Sequence, residues 1–365
     1  MKHNVQLRVP GPTPIPDDIL QAMSRQMINH RGPEFVEMMR RVTENLKHVF
    51  QTQNDVFVLT GSGTGGMEAA IVNTLSPDDR VLSASNGVFG DRFADIAETF
   101  GAKVERLKFD WGKAVEPDAV RQALSKNPDV KAVLLTHNET STGVTSDLGA
   151  ICDAIRDLEK LTLVDAISSM GAIDLPTDKW GCDVVITGSQ KGWMSPPGLA
   201  MVSVSQRAWK ANGSARMPRF YWDFAKARKF LDKGQNPWTP CVTALYALDA
   251  ALIRIMDEGL TKVIARHTRV AGKARTAVKS LGLTLYPDEK YASNAITAVN
   301  VPQGVDGKKL LKILREEYNT VLAGGQSRLE GQIFRIGHIG YVDEEDIDIV
   351  IKAVKDALPR AKASS

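Results

Sequence analysis

Short apolar runs alternate with amphipathic stretches over the first two thirds of the chain. The apolar runs predict buried strands, and the stretches between them, which repeat apolar residues at helical spacing, predict helices. This alternation predicts an α/β fold with a mostly parallel, doubly wound sheet. The predicted strands lie at 56–59, 80–83, 104–107, 132–136, 161–164, 184–187 and 199–205, and the predicted helices at 34–50, 67–73, 88–100, 116–125 and 147–158.

The pattern changes after an irregular stretch at 217–238 and a long helix predicted at 242–256. A basic helix at 261–281 is followed by strands and helices that predict a smaller α+β domain. Its predicted strands lie at 295–301, 321–323 and 333–337, and its helices at 306–318 and after the capping residue Asp343. We therefore expect an N-terminal segment at 1–16, a large domain at 17–256 and a small domain at 257–365. The proline-rich N-terminal segment is either a tail on the surface or a segment that lies over a substrate site.

Composition narrows the class of protein. A net charge of +3, with 43% hydrophobic and 24% charged residues, is ordinary for a globular protein and gives no reason to expect nucleic-acid binding. The stretch at 1–16 lacks the apolar core of a signal peptide, so we expect none, and because no apolar run reaches about 20 residues we expect no membrane span. The three cysteines, Cys152, Cys182 and Cys241, lack metal-ligand spacing. They predict a reducing, cytoplasmic location and no metal site.

A glycine-rich loop at 61–66 follows the first predicted strand and leads into a helix. Backbone N–H groups at such a helix start bind anions, and the hydroxyls of Ser62 and Thr64 add donors, so the loop predicts a phosphate site. The same spacing fits a dinucleotide fingerprint, but no acidic residue ends the next strand, where the ribose would need one. A plain turn remains the third interpretation.

An acid and a lysine follow two of the later strands. Asp165 ends the strand at 161–164, and Lys191 follows the strand at 184–187. Strand ends of an open α/β sheet face one crevice, so the two side chains can share a site. Pyridoxal 5'-phosphate (PLP) needs an amine for its aldehyde and a carboxylate for its ring nitrogen. A structural ion pair would look the same in the sequence.

Four further positions have both a functional and an ordinary interpretation. Phe89 is a ring-stacking candidate or a core residue, and Thr239 is a phosphate donor or a helix cap. The polar cluster at 137–143 lines a site or forms an inert loop. Arg335 lies within an apolar strand and needs an anion, which is either a structural carboxylate or the carboxylate of a substrate.

Several motifs together resemble the class V aminotransferases of PLP fold type I, in the alanine–glyoxylate and serine–pyruvate (serine–glyoxylate) group. The similarity covers nearly the whole chain, and the order and spacing of its pieces are specific. These pieces are Pro10-Gly11-Pro12, Gly61-Ser62-Gly63-Thr64-Gly65, Gly87-Val88-Phe89-Gly90, the 137–143 cluster, Val164-Asp165, Gly188-Ser189-Gln190-Lys191, Pro196-Pro197-Gly198 and Phe334-Arg335-Ile336-Gly337.

The resemblance implies a role for each matched position. Lys191 would form the Schiff base with PLP, and Asp165 would hold the pyridine nitrogen. Arg335 would clamp the substrate carboxylate, with Gly11 and Thr140 nearby. The other cofactor contacts implied are Ser62, Gly63, Thr64, Phe89, Thr140, Gln190, Asn236 and Thr239. Thr239 would reach the phosphate of a partner subunit, which implies a homodimer with shared active sites.

Three positions depart from the family pattern. Thr64 stands where human-type members carry His, Phe89 where they carry Trp, and Asn236 where many members carry a phosphate-binding Tyr. The resemblance implies ping-pong transfer of an amino group from alanine or serine to glyoxylate or pyruvate. Aspartate or ureidoglycine as donor, or lyase chemistry, are alternatives. A cysteine desulfurase is a further alternative, but it needs a C-terminal nucleophilic cysteine, and no cysteine follows Cys241.

Overall fold

The computed structural model describes residues 5–363, so residues 1–4 of the predicted N-terminal segment lie outside the described part. Its strands are β1 (Gln6–Leu7), β2 (Asp55–Thr60), β3 (Arg80–Ser85), β4 (Lys103–Lys108), β5 (Val130–Thr136), β6 (Asn138–Glu139), β7 (Val144–Thr145), β8 (Leu161–Asp165), β9 (Val184–Gly188), β10 (Leu199–Val204), β11 (Ile296–Asn300), β12 (Thr320–Val321), β13 (Ala323–Gly324) and β14 (Ile333–Gly337).

Helices connect most of these strands. They are α1 (Asp17–Met23), α2 (Pro33–Phe50), α3 (Gly63–Thr74), α4 (Val88–Thr99), α5 (Pro117–Lys126), α6 (Leu148–Ile155), α7 (Thr177–Trp180), α8 (Gln206–Asn212), α9 (Phe224–Leu231), α10 (Val242–Glu258), α11 (Leu260–Ser280), α12 (Gly307–Tyr318) and α13 (Glu344–Ala357). As predicted, Asp343 caps α13, and its side chain accepts hydrogen bonds from the N–H groups of Glu345 and Asp346.

The large sheet has the strand order β2-β10-β9-β8-β5-β3-β4. Only β10 runs against its neighbours, which confirms the mostly parallel α/β architecture. Thr136 at the end of β5 pairs with Asp165 at the end of β8, and Asp165 pairs with Ile186 of β9. The carboxyl ends of three central strands therefore meet at one edge of the sheet.

Both faces of this sheet are covered by helices. Val56 and Val58 of β2 pack into one core cluster, and the intervening Phe57 and Leu59 pack into another. Successive side chains of a strand point to opposite faces, so each apolar run fills both cores. This explains why the strands read as continuous apolar runs rather than as an alternating pattern.

The C-terminal part has a three-stranded antiparallel sheet of order β11-β14-β13. Apolar residues of α11, α12 and α13 pack with it into a separate core cluster. Strand β1 pairs in parallel with β12, which ties the N-terminal segment to this part of the chain. The domain limits at residues 16 and 257 stay predictions. No helix within residues 5–363 is long and apolar enough to cross a membrane.

Some local predictions were wrong. The stretch 217–238 contains α9, which Asp223 caps by accepting from the N–H of Lys226. Its basic residues obscure the apolar face formed by Phe224 and Ala227. The predicted strand at 321–323 divides into β12 and β13, which join different sheets. Helix α3 begins at Gly63 rather than at 67, and α1, α7, α8, β1, β6 and β7 were not predicted because they are short.

Candidate active site

A cavity of about 120 Å³ lies where the carboxyl ends of β5, β8 and β9 meet. Three larger clefts elsewhere on the surface contain none of the predicted site residues. Eight of the predicted residues line this one cavity. They are Ser62, Gly63, Thr64, Phe89, Thr140, Asp165, Gln190 and Lys191, and the other lining residues are Arg92, Asn138, Ile167 and Ser168.

Asp165 is a buried carboxylate without a cationic hydrogen-bond partner among residues 5–363. Its Oδ1 accepts a hydrogen bond from the N–H of Ile167 at 2.9 Å. Burial, with a further contribution from the negative charge of Glu139, raises the pKa of Asp165 to about 7. The backbone hydrogen bond and the positive charges of Lys191 and Arg92 only partly oppose this rise. The carboxylate therefore suits a ligand that brings a positive charge.

Lys191 points its amine at the N-terminal segment. Its Nζ donates to the carbonyl of Pro10 at 2.6 Å, and the carbonyl of Lys191 accepts from the hydroxyl of Thr13 at 3.2 Å. Burial lowers the pKa of Lys191 to about 8, because the charged amine loses water. A Cβ on Gly11 would lie 2.6 Å from Nζ, and its φ is +142°, so glycine is required beside this amine.

The N-terminus of α3 faces the cavity with its first N–H groups uncapped. The side chain of the N-cap residue Ser62 makes no capping hydrogen bond. These N–H groups are therefore available to an anion, as the phosphate interpretation requires.

The glycines of this loop are explained by packing against their neighbours. A Cβ on Gly61 would lie 2.6 Å from the ring of Trp222, and a Cβ on Gly65 would lie 2.9 Å from the same ring. A Cβ on Gly63 would lie 2.5 Å from Ile167. A Cβ on Gly66, the third glycine of the dinucleotide pattern, would lie 2.6 Å from Ile186. The loop thus needs glycine whether or not a dinucleotide binds, so its glycines are no argument for a dinucleotide site.

Phe89 lies in the first turn of α4 and lines the cavity while remaining half-buried. The guanidinium of Arg92 lies 4.8 Å from the centre of its ring. A flat ligand in the cavity would therefore find an aromatic wall at this place. Phe89 is consequently a cavity residue rather than part of the closed core.

Thr140 belongs to a hydroxyl network on the cavity wall. Its Oγ1 donates to Oγ of Ser168 at 2.8 Å, and Nδ2 of Asn138 donates to the same oxygen at 2.8 Å. The 137–143 cluster is therefore not an inert loop, because two of its side chains line the cavity.

Arg335 lies next to the cavity without lining it. Its Nε donates to the carbonyl of Gly324 at 2.9 Å, and its Nη1 donates to the carbonyl of Thr140 at 2.9 Å and to Oε1 of Gln326 at 3.1 Å. All three acceptors are neutral, and no hydrogen bond from Nη2 is made within residues 5–363. Burial lowers the pKa of Arg335 to about 10. The charge of the nearby Glu139 only partly opposes this fall in pKa, and within residues 5–363 no carboxylate forms a direct ion pair with Arg335. The structural-carboxylate interpretation therefore lacks a direct partner in the described chain.

Asn236 and Thr239 lie away from this cavity. They line a second, small hollow with Trp222 and Trp238, and Nδ2 of Asn236 donates to the carbonyl of Val58 at 2.9 Å. Thr239 is exposed. The chain does not bring these two residues to its own Lys191.

Four cavity residues were missed from the sequence. Arg92 follows Phe89 by three positions on a helix, and this spacing could have placed both on one face. Asn138 was within the polar cluster but received no role, and Ser168 had no signal beyond its position after Asp165. Ile167, the fourth, matters because it donates to Asp165 and packs against Gly63.

The groups that converge here fit PLP. Asp165 lacks a cationic partner, Lys191 carries a buried amine with a lowered pKa, and the uncapped end of α3 suits a phosphate. The fold and the cavity therefore define a PLP-dependent enzyme built on a large α/β domain.

Comparison with known proteins identifies the family. The sequence matches the family Aminotransferase class-V over residues 6–350, and the chain belongs to this family. It is 44% identical over 98% of the chain to the small subunit of a soluble hydrogenase from Synechococcus sp. (strain PCC 6716), of which it covers 94%.

Two further relatives carry aminotransferase names. The chain is 41% identical to an L-aspartate–glyoxylate aminotransferase from Paracoccus denitrificans (strain Pd 1222), over 91% of the chain and 85% of that protein. It is 40% identical to a serine–glyoxylate aminotransferase from Hyphomicrobium methylovorum, over 96% of the chain and 89% of that protein.

A solved structure extends this result to the fold. Alanine–glyoxylate aminotransferase from Nostoc sp. superposes with a TM-score of 0.94 at 32% identity, covering 97% of this chain and 95% of that one. The protein is thus a PLP-dependent transaminase of fold type I, and the recognition of the family from the sequence is confirmed.

Proposed function

We propose that the protein transfers the amino group of a small amino acid, serine or alanine, to a 2-oxo acid, glyoxylate or pyruvate. The observation that carries the proposal is Arg335, a buried cation among neutral acceptors with Nη2 left for a ligand. Arginine can hold a carboxylate with two parallel hydrogen bonds. Here Nη2 would supply one of them, and the other would replace the bond from Nη1 to Oε1 of Gln326. Amino donor and 2-oxo acid both carry an α-carboxylate, so one clamp serves both halves of the reaction.

Eight cavity residues and the uncapped start of α3 would hold PLP. Asp165 would pair with the ring nitrogen, Lys191 would hold the aldehyde, and Phe89 would stack on the ring. Ser62, Gly63, Thr64 and Gln190 would bind the phosphate, and Thr140 would bind near the ring hydroxyl. When bound, PLP supplies an electron sink for the bond electrons left at the substrate Cα after its proton departs.

Lys191 would carry the proton. Its lowered pKa, about 8, makes the neutral amine accessible near neutral pH, as a general base requires. Nζ would take the proton from Cα of the donor and return it to the carbon that carries the aldehyde of the free cofactor. The N-terminal segment beside it, through Gly11 and Pro10, would limit the entry of water to this amine.

An absorbance titration tests the proposal. Serine or alanine added alone should change the visible spectrum of the bound cofactor, and glyoxylate added next should restore it, because the amino group waits on the enzyme between the two substrates. Parallel lines in double-reciprocal plots would support ping-pong kinetics. A spectrum that neither amino acid changes at saturating concentration would reject both proposed donors.

Aspartate is the second candidate donor. A dicarboxylate needs a second cation, and Arg92 lines the cavity with its guanidinium on the Phe89 ring and in none of the ion pairs of residues 5–363. Comparison of kcat/KM for aspartate and serine in wild type and Arg92→Gln would decide. A fall in kcat/KM that is selective for aspartate would support aspartate as a donor, and an equal fall with both donors would reject it.

The ureidoglycine, lyase and desulfurase alternatives are not favoured over these donors.

A homodimer with shared sites would account for Asn236 and Thr239. Thr239 is exposed and lies beside an exposed aromatic group in which Phe220, 67% accessible, stacks on Trp238. A second copy that covers this surface would receive Thr239 at its phosphate site.

A subunit-mixing experiment tests whether the active sites are shared between subunits. Inactive Lys191→Ala is mixed with a Thr239→Val variant of low cofactor affinity, and each hybrid dimer should then contain one site with neither change. No recovery of activity in verified hybrids would contradict it. The cytoplasmic location stays a prediction.

A further inference from the structure

Glu139 is a fully buried carboxylate beside the cofactor cavity, and it forms none of the ion pairs within residues 5–363. Burial raises its pKa, while hydrogen bonds from Ser141, Gly90 and Phe89 act in the opposite direction. Burying a carboxylate is costly unless hydrogen bonds compensate it. The groups that donate these hydrogen bonds therefore indicate what Glu139 holds in place.

The hydrogen bonds join Glu139 to the first turn of α4. Its Oε2 accepts from the N–H groups of Phe89 at 3.0 Å and Gly90 at 3.1 Å. Its Oε1 accepts from the N–H of Ser141 at 3.0 Å and from Oγ of Ser141 at 2.6 Å, and that Oγ in turn accepts from the N–H of Val88 at 3.0 Å. Three N–H groups at the start of α4 thus donate hydrogen bonds to the side chains of Glu139 and Ser141.

Gly87 shows how closely the two segments approach. A Cβ at Gly87 would lie 2.4 Å from Cγ of Glu139 and 2.5 Å from Oγ of Ser141. Any larger residue would push the carboxylate away from the helix. The carboxylate of Glu139 therefore fits against the helix only because Gly87 has no side chain.

The same segment leads directly to the substrate side of the cavity. Thr140, the next residue, accepts a hydrogen bond from Nη1 of Arg335 through its carbonyl at 2.9 Å, and its hydroxyl donates to Ser168 at 2.8 Å. Glu139 consequently lies between the residue that would stack on the cofactor ring, Phe89, and the residue that anchors the carboxylate clamp.

We propose that Glu139 is a positioning residue that fixes the Phe89 ring relative to Thr140 and Arg335, and so sets the orientation of the cofactor ring relative to the substrate carboxylate. The proposal rests on the proposed stacking of Phe89 on PLP. Negative charge at the start of a helix is also favourable in itself, and the experiment must therefore separate a positioning role from simple helix capping.

Asp343, an exposed carboxylate, provides the control for helix capping alone. It caps α13 by accepting from the N–H groups of Glu345 at 2.9 Å and Asp346 at 3.0 Å, and it lines no part of the cofactor cavity. Glu139→Gln and Asp343→Asn each replace a capping carboxylate by an amide of the same shape. Both should lower the midpoint of thermal unfolding, whereas only the first should alter the cofactor.

The experiment compares the holoenzymes of wild type, Glu139→Gln and Asp343→Asn without substrate. Circular dichroism in the visible absorption band of bound PLP reports the orientation of the ring, and equilibrium dialysis gives the Kd for PLP. We expect Glu139→Gln to lose most of the visible dichroism and to bind PLP about 10-fold more weakly. Asp343→Asn should keep both values of wild type. If Glu139→Gln does not fold, Ser141→Ala, which removes two of the bonds, should show the same changes to a smaller degree.

If Glu139→Gln showed the same visible dichroism and the same Kd for PLP as Asp343→Asn, Glu139 would act only as a helix cap, and the proposal would be overturned. Because no amino acid is added, a wrong donor assignment does not affect the result. A Phe89→Ala protein that keeps the wild-type dichroism would reject the stacking of Phe89, and with it the proposal. That outcome is distinguishable from a failure of Glu139 alone.

Discussion

The two sides of the cavity are built differently. The side that we propose holds the cofactor comes from the carboxyl ends of strands in one hydrogen-bonded sheet, where Asp165 pairs with Thr136 and Ile186. The side that we propose holds the substrate is assembled from the N-terminal segment, from β14 and from the turn that carries Gln326. The first side is fixed by a continuous ladder, and the second depends on contacts between separate parts of the chain. We therefore expect changes on the cofactor side to reduce kcat and changes on the substrate side to alter KM.

Asp165→Asn should have the largest effect of the changes considered. The amide cannot hold a positively charged ring nitrogen, so kcat should fall about 10²–10³-fold while cofactor is still bound. Steady-state kinetics with saturating PLP measure this. Asp183→Asn is the matched control, because Asp183 is a buried carboxylate at the opposite end of the neighbouring strand, bonded to Thr162 and Ser205. A loss of kcat that is equal in both variants would mean that Asp165 has only a structural role.

Arg335→Lys should raise the KM of both the amino donor and the 2-oxo acid by about 10–100-fold, because a lysine cannot form the two parallel hydrogen bonds of a guanidinium. The change in kcat should be smaller. Arg275→Lys serves as the control, since Arg275 is also held by neutral oxygens, those of Ser293 and Asn294. If KM changed for only one of the two substrates, the idea of a shared carboxylate clamp would be wrong.

Gly11→Ala tests whether the N-terminal segment belongs to the substrate side. The added Cβ would press on Lys191 at a backbone angle that favours glycine, so kcat/KM should fall about 10-fold. Gly304→Ala is a suitable control, since Gly304 also has a positive φ but has no atom within 4 Å of its Cβ position. Equal loss of activity in both variants would show that strain alone, and not contact with Lys191, is responsible.

The smallest expected effect is a pH dependence of the stability of the cofactor-free protein. Because the pKa of Asp165 is raised to about 7, the folded chain binds a proton more readily than the unfolded chain. Its contribution to stability is fully present below about pH 4 and is lost as the pH rises through about 7, and a rise in pKa from 3.8 to about 7 corresponds to about 4 kcal/mol. Asp165→Asn should remove this contribution. Denaturant unfolding of both cofactor-free proteins at pH 5 and pH 7.5 measures it, and identical pH dependence in the two proteins would contradict the prediction.

The sequence predicted the cofactor side better than the substrate side, for a physical reason. Apolar runs mark the strands, and ligand-binding groups follow strand ends, so Asp165, Lys191 and the loop before α3 could be placed from local pattern alone. The contact between Lys191 and Pro10 joins residues 181 positions apart, and no periodicity reports it. The role of Gly11 beside Lys191 therefore required the structure.

The surroundings of Arg335 were also beyond the sequence. An arginine in an apolar strand predicts an anion, but the choice between a structural carboxylate and a substrate depended on which oxygens lie around it. Those oxygens belong to Gly324, Gln326 and Thr140, and the last of these lies in the turn between β6 and β7, far from Arg335 in the sequence. The packing of Trp222 against Gly61 and Gly65 could not be predicted either, because the sequence of the stretch 217–238 shows no regular apolar pattern.

The most direct test of the account is to locate the lysine that holds the cofactor. The holoenzyme is reduced with borohydride and digested, and the peptide that carries the pyridoxyl group is sequenced by mass spectrometry. We predict that the group is on Lys191 and that a Lys191→Ala protein treated in the same way carries none. Label on another lysine of the wild-type protein, with Lys191 unmodified, would contradict the central claim.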